Sequence, residues 1–296
     1  MGKAVTHADD FGASAGVNAA IIRSIEEGCV RSVSLLANGA AFDEAVRYLH
    51  ARPDIAVTLH LNLIEGRPLA AHPDGLLIAA NGRLNSTFSG LFLAWCRRGK
   101  AQDRLFTEIQ REFAAQAAVF SQAFGHTRPL RLDSHGHVHA IPLVWRALLT
   151  APYPGTIAYV RVPQEPFHLP PTMRDLSHAA GANIAKHLVL NRLAPALRRA
   201  LRARSIPSNR FLVGVLHTRR MTPDAVLAGL AAADRAAEAN TDRDQPVEVL
   251  VHPGGARADE QDLWRDEPSF WAFYSSPDRN VELATTLSPR LRTAFL

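Results

Sequence analysis

Cysteine is scarce in this sequence: Cys29 and Cys96 stand far apart, with no C-x-x-C spacing. That argues against a disulfide framework and against a thiolate zinc site, and it suits a reducing cytosol. Long apolar runs are missing as well. No window approaches a membrane span, and the N-terminus enters an apolar segment at once, without a signal-peptide core, so a cytoplasmic protein is expected. No Gly-rich phosphate loop follows the first apolar segment, and no internal repeat is visible. Acidic residues vanish between Asp175 and Asp224, where Lys186, Arg192, Arg198, Arg199, Arg202, Arg204, Arg210, Arg219 and Arg220 fall. These nine cations exceed the formal net charge of +5, so the rest of the chain is mildly acidic.

The chain has 296 residues, of which 47% are hydrophobic, enough for a full core and too many for the disordered class. Apolar segments at Ala4–Ala8, Arg31–Leu36, Ile55–Leu63, Pro129–Leu132, Thr156–Val162, Phe211–Leu216 and Val247–Val251 read as strands. Helical patterns lie between them. One begins at a Ser14 cap and carries Val17, Ile21 and Ile25; the clearest runs from Gln102 to Phe124 with a stripe of Ile109, Phe113, Ala117 and Phe120. Pro195 interrupts the apolar spacing of the basic stretch and is expected to break or kink its helix. The irregular stretch from Glu65 to Gly90 is long enough to be a lid or binding loop. Strand and helix alternate throughout, which predicts an α/β fold with a parallel sheet. About seven strands suit a distorted, TIM-barrel-like (β/α) barrel; an open doubly wound sheet is the alternative. One domain over residues 1–296, with a basic helical insertion at about 176–210, accounts for all of it.

The densest chemistry lies in Asp133-Ser134-His135-Gly136-His137-Val138-His139. In extended backbone the alternate residues Asp133, His135, His137 and His139 would share one side. Other strand ends carry similar groups: Asp9-Asp10 after the first, His60 and Asn62 on the third, and His252 after the last. Parallel barrels gather their chemistry at the C-terminal rim of the sheet. Two imidazoles and a carboxylate there would leave open positions on a divalent ion, Zn²⁺ or Mg²⁺, as catalytic metal sites do. A second carboxylate can take a proton from water, and a histidine on the opposite wall can give one to a leaving group. Metal-assisted hydrolysis of an amide or ester is the expected chemistry.

The segments Ala8-Asp9-Asp10-Phe11-Gly12, Leu59-His60-Leu61, Glu65-Gly66-Arg67-Pro68, the histidine run and His252-Pro253, in that order, resemble the YdjC-like carbohydrate deacetylases. The resemblance implies a distorted (β/α) barrel that removes N-acetyl groups from amino sugars. It further implies one divalent metal held by Asp10, His60 and His135, with Asp9 as general base and His252 as general acid. His137 or His139 would line the substrate side, and Arg161 would bind substrate. Two positions depart from the family pattern: His7 adds an imidazole, and Gly136 stands where another His is frequent, which marks that position as dispensable.

Histidines 50, 72, 126, 168, 178 and 187 read as surface residues, and Trp95, Trp145, Trp264 and Trp271 as packing. Nucleic acid is not an expected partner, since the basic stretch has no interleaved aromatics. It is read as a solvated helix pair or as a surface for anionic membrane, with Arg198, Arg199, Arg202 and Arg204 bringing the protein to a lipid-linked glycoside at the inner membrane face. Two other functions compete: a metal phosphoesterase on the same barrel, and a non-catalytic glycolipid-binding protein.

Overall fold

A computed structural model describes residues 4–169, 181–237 and 245–295. Each of the seven expected strands forms: β1 (Ala4–Phe11), β2 (Val30–Leu35), β3 (Ala56–Leu61), β4 (Leu130–Ser134), β5 (Ile157–Val160), β6 (Phe211–Val213) and β7 (Val247–Val251). They lie parallel in one curled sheet, ordered β5-β4-β3-β2-β1-β7-β6. The covering helices are α1 (Ala15–Glu26), α2 (Phe42–His50), α3 (Phe88–Cys96), α4 (Lys100–Ala123), α5 (Pro142–Thr150), α6 (Gly181–Arg202), α7 (Pro223–Ala237), α8 (Pro268–Tyr274), α9 (Asp278–Thr286) and α10 (Pro289–Phe295). Ser14 caps α1 as expected, its hydroxyl accepting from Val17 N.

Alternation along the strands divides the interior. Val33, Leu35, Val57, Leu59 and Leu132 belong to the apolar core together with the helix stripes, including Ile109, Phe113 and Phe120 of α4. The residues between them form a buried polar lattice: His7, Ser34, His60, Asp133, Arg161 and Glu248 are all at most 2% exposed. A barrel of this size fills its interior with side chains, and here that filling is charged and hydrogen-bonded.

The two edge strands, β5 and β6, do not pair. Their extensions are stitched by individual hydrogen bonds instead. Val160 N donates to Pro207 O (3.0 Å), Leu212 N donates to Gln164 O (2.8 Å), and Asn209 brackets Val162 with one bond to its N (2.6 Å) and one to its O (3.0 Å). Glu165 completes the seam by accepting from Gly214 N (2.6 Å) and Leu216 N (2.8 Å). The basic stretch covers this join. Arg198 of α6 donates to Gln164 Oε1, Asn209 O and Arg210 O and is 7% exposed, and His187 donates to Glu165 O.

Several expectations therefore change. The basic stretch is not free of counter-charges, because Arg210 faces Asp234 and Arg219 faces Asp278. Arg198 is committed to the seam and cannot reach a membrane. Residues 181–202 form one helix, with Pro195 inside it on the exposed side; residues 176–180 of the expected insertion, and His178, lie outside the described residues. His72, His168 and His187 are not surface groups. His72 is enclosed against Glu112 (2.9 Å), and the other two are buried. The stretch after β3 is pinned rather than loose: Glu112 accepts from Leu69 N and Ala70 N, and Glu108 from Asp74 N and Leu76 N.

Burial pushes the Glu165 carboxyl up from 4.5 to about 7, against the backbone N–H groups of Gly214, Leu216 and Val215 that favour its charge. A proton bound more tightly in the folded chain stabilises it fully below pH ~4.5, and that contribution is lost as pH rises through about 7. Wild type should lose roughly 2 kcal/mol relative to Glu165→Gln between pH 5 and pH 8, since one pKa unit is worth about 1.4 kcal/mol. Urea midpoints of both proteins at the two pH values check this; a pH-independent gap would contradict it.

Candidate metal centre and active site

The site lies where the expected strand ends meet. β1 carries Asp9 and Asp10 into it, although neighbours on a strand normally face opposite ways. Asp10 achieves this with a left-handed backbone (φ 68°), a conformation in which Asp is among the more tolerant residues. The histidine run behaves differently from an extended strand. β4 stops at Ser134, and His135–Ala140 is a tight turn in which Gly136 (φ 64°) and His137 (φ 60°) are left-handed. The four side chains are thereby dispersed.

Asp133 points into the barrel, and His135 into the site. His137 lines the cleft, its Nδ1 buried without a partner. His139 folds beneath, fully buried, accepting from Ser134 Oγ (2.7 Å) and donating to Arg161 O (2.9 Å); it does not line the cleft. Glycine suits the turn at position 136. A Cβ there would meet Ile64 Cδ1 at 2.8 Å on a backbone that L residues rarely adopt.

Asp10, His60 and His135 are brought together, each buried, with ligand atoms within 4.8 Å of one another. Asp10 Oδ1 stands 3.2 Å from His135 Nδ1 and 3.8 Å from His60 Nε2. Donors sharing a tetrahedral ion at ~2.1 Å stand roughly 3.4 Å apart. Each ligand is also set up from behind. His60 Nδ1–H donates to Asp133 Oδ1 (2.7 Å), which leaves Nε2 turned to the site. His135 Nε2 faces Glu65 Oε1 at 3.4 Å, which leaves Nδ1. Glu65 is itself held by Tyr274 (2.6 Å) and Trp264 (3.3 Å). Asp10 Oδ2 takes Arg279 (3.2 Å), whereas Asp10 Oδ1 is buried with no hydrogen-bond partner. An orphaned carboxylate oxygen between two imidazoles whose other nitrogens face carboxylates is the donor set of a divalent cation. The residues fit the metal that the family resemblance implies.

The charges agree. Burial opposes ionisation of Asp10, but His135, Arg279 and His252 hold it well below the usual carboxylate range. Burial opposes charge on His60 too, and the surrounding Asp133, Asp9 and Asp10 outweigh it, pushing it up to about 9.

Asp9 stands across the trio, its Oδ2 3.8 Å from His60 Nε2, and both its oxygens accept from Arg161 NH1 at 3.0 Å. Arg161 is not in the cleft. It is fully buried and also grips Asp133 (2.6 Å) and Glu248 (2.7 Å), so it orients Asp9 and contacts no substrate. His252 lines the cleft from β7, backed by Glu282, whose Oε2 accepts from His252 N (2.5 Å) and lies 3.5 Å from Nδ1. The cavity itself measures about 300 Å³, and Ile64, Phe270, Phe273, Thr218 and Lys186 complete its wall.

A second trio, His7, Asp9 and Asp133, also clusters. It already contains a cation, since Arg161 NH1 touches both carboxylates. His7 donates to Ser34 Oγ (2.7 Å), and Ser34 to Asp133 Oδ2 (2.5 Å), so the extra imidazole supports the lattice.

Sequence reasoning missed Glu65, Glu282, Arg279 and Lys186 as site residues. Glu65 was visible in a quoted family segment; the others sit on helices with no local signature.

The fold is one curled parallel barrel with its polar groups at the C-terminal rim. A match to the YdjC-like protein family spans residues 3–296, and the chain belongs to that family. It is 38% identical over 142 residues to a "Chitooligosaccharide deacetylase" of Klebsiella pneumoniae (strain 342). A second Klebsiella pneumoniae relative of that name, from strain ATCC 700721 / MGH 78578, is 37% identical over 142 residues. The match covers 48% of this chain and 52% of the first relative, about half of each. A crystal structure from Enterococcus faecalis V583, named as a candidate cellobiose-phosphate cleavage protein, superposes with a TM-score of 0.64. That likeness covers 99% of this chain and 93% of the other at 17% identity, and it speaks for the fold alone.

Replacing His135 by Ala should abolish binding of one equivalent of Zn²⁺ or Mn²⁺ in calorimetric titration. Asp133→Asn and Glu65→Gln, which touch only the backing carboxylates, should weaken it ~10–100-fold. Unchanged affinity in all three would remove the metal assignment.

Proposed function

We propose that this protein is a metal-dependent N-acetyl amino-sugar deacetylase. One observation carries the reading: Asp9 and His252 line a single cavity together with His60 and His135, and those two imidazoles cluster with Asp10. The names of the Klebsiella relatives support an N-acetylated sugar as substrate.

A divalent ion on Asp10, His60 and His135 would polarise an acetyl carbonyl and lower the pKa of water to about 7. The remaining work falls to the chain. Asp9, fixed by Arg161, takes a proton from the attacking water as its oxygen bonds to the acetyl carbon. His252, steadied by Glu282, gives a proton to the amide nitrogen as the C–N bond breaks. Acetate and a free amino sugar leave. Phe270 and Phe273 give the cleft an apolar wall against which a sugar face can lie.

A phosphoesterase using two ions is disfavoured, because Arg161 occupies the second trio. Peripheral contact with anionic membrane keeps a narrower basis than the charge run suggested. Arg199, Arg202 and Arg204 are exposed, and Phe167, Ile184, Leu188 and Val189 stand out to solvent on the same helix and the loop before it. Among the described residues no helix is long and apolar enough to cross a membrane.

Acetate should be released from N,N′-diacetylchitobiose, with Asp9→Asn keeping the metal and losing ~10²-fold or more in kcat. His252→Ala should slow amide cleavage far more than cleavage of an activated acetyl ester, whose leaving group needs no proton. No acetate from any N-acetyl sugar in the presence of added metal would reject the proposal. Charge reversal at Arg199, Arg202 and Arg204 should abolish co-sedimentation with phosphatidylglycerol vesicles at low salt, each basic residue near such a surface being worth ~1 kcal/mol. Wild type that ignores such vesicles would remove the membrane contact.

A further inference from the structure

Three buried or half-buried cations surround the reaction centre, and two are committed. Arg161 is shared by Asp9, Asp133 and Glu248. Arg279 is held by Asp10 and Gly254 O and stacked over Phe273 and Tyr274. The third, Lys186, is different. It lies on the inward face of α6, one turn before the buried Leu190, and its side chain lines the same cavity as Asp9, His60, His135, His137 and His252. Among the described residues it forms no ion pair or hydrogen bond. It also comes from the helix that covers the barrel seam, whereas the proposed ligands and the acid–base pair all come from strand ends.

An ammonium kept without a fixed partner beside apolar walls is costly. Burial draws protons off Lys186, while Asp9 and Asp10 help to hold them. Such a group is useful where negative charge forms only during the reaction, because a donor already in place needs no reorganisation at that moment. Amide hydrolysis creates such a charge, at the former carbonyl oxygen.

We propose that Lys186 is a further catalytic residue, its ammonium donating a hydrogen bond to the acetyl carbonyl oxygen and stabilising the oxyanion that forms there. This rests on the deacetylase reading. As water's oxygen bonds to the acetyl carbon, one water proton passes to Asp9 and the carbonyl π pair moves onto oxygen beside Lys186, which keeps all its protons. On collapse that pair re-forms the C=O bond, the C–N pair leaves with nitrogen, and nitrogen takes a proton from His252. Collapse yields acetic acid and the amine; the acid loses its proton to the amine or to water to become acetate, the proton on Asp9 leaves to solvent, His252 takes one up again, and Lys186 is unchanged. The acetate carboxylate has the same charge and nearly the same position as the oxyanion, so Lys186 also binds product.

Two variants and two readouts test this. With N,N′-diacetylchitobiose, Lys186→Met should lower kcat by ~10²-fold or more, the loss typical of one oxyanion donor, and leave KM within about threefold. Metal content should not change, and Lys186→Arg should recover part of kcat. In a titration of ¹³C-acetate followed by NMR, Lys186→Met should bind acetate about tenfold more weakly than wild type. A Met variant with wild-type kcat, or with a higher KM alone, overturns the assignment, as does unchanged acetate affinity. If wild type deacetylates nothing, the deacetylase reading fails separately, and the acetate titration alone still decides whether Lys186 is an anion site.

Discussion

The structure turns on one buried guanidinium. Arg161 sits inside the barrel with no exposure and binds Asp9, Asp133 and Glu248 at 2.6–3.0 Å. Ionised groups removed from water cost several kcal/mol each unless paired and hydrogen-bonded, and removing one member of such a set costs about 3–5 kcal/mol. Without Arg161, three carboxylates would repel one another in a closed space. With it, Asp133 stays ionised and fixes His60, and Asp9 is aimed at the site. The same residue reaches the histidine turn through its backbone, because the Arg161 carbonyl oxygen accepts from His139 Nε2. A stability demand and a positioning demand are met by one side chain.

The same logic repeats around the rim. His60 is backed by Asp133, His135 by Glu65, His252 by Glu282, and Asp10 by Arg279. Each backing group fixes which atom of its partner faces the cleft. Networks of this kind hold a geometry better than isolated pairs, since moving one member disturbs the bonds of its neighbours. They also explain why the barrel interior is polar rather than aliphatic: the rim needs a foundation of countercharges.

Strand positions and the residues at their ends were legible because they obey local rules. A run of two-residue alternation names a strand, and Asp or His at its end stands out. The backing groups were not legible, because Glu282 and Arg279 lie on a helix some 30 and 270 residues from the groups they hold, with nothing local to mark them. The histidine run misled for a different reason. Alternation was carried past Ser134 although Gly136 signalled a turn, and one left-handed pair, Gly136 and His137, sent four side chains to four places. The basic stretch misled because charge was counted along the chain. In space, Arg198 is a structural clamp and Arg210 and Arg219 have carboxylates from later segments.

The seam links these two halves of the molecule. Seven strands do not close here by pairing, so β5 and β6 are held by Asn209, Glu165 and Arg198. The helix that covers such a gap is free to project a side chain inward, which a helix lying on an intact sheet cannot do. α6 uses this freedom at Lys186, one helical turn from its buried stripe, while His187 next to it holds the seam. The opening in the barrel therefore supplies the site with a cation that, among the described residues, forms no ion pair. Closing it with an eighth strand would make a more regular sheet, and would place a wall of backbone where Lys186 now enters the cleft.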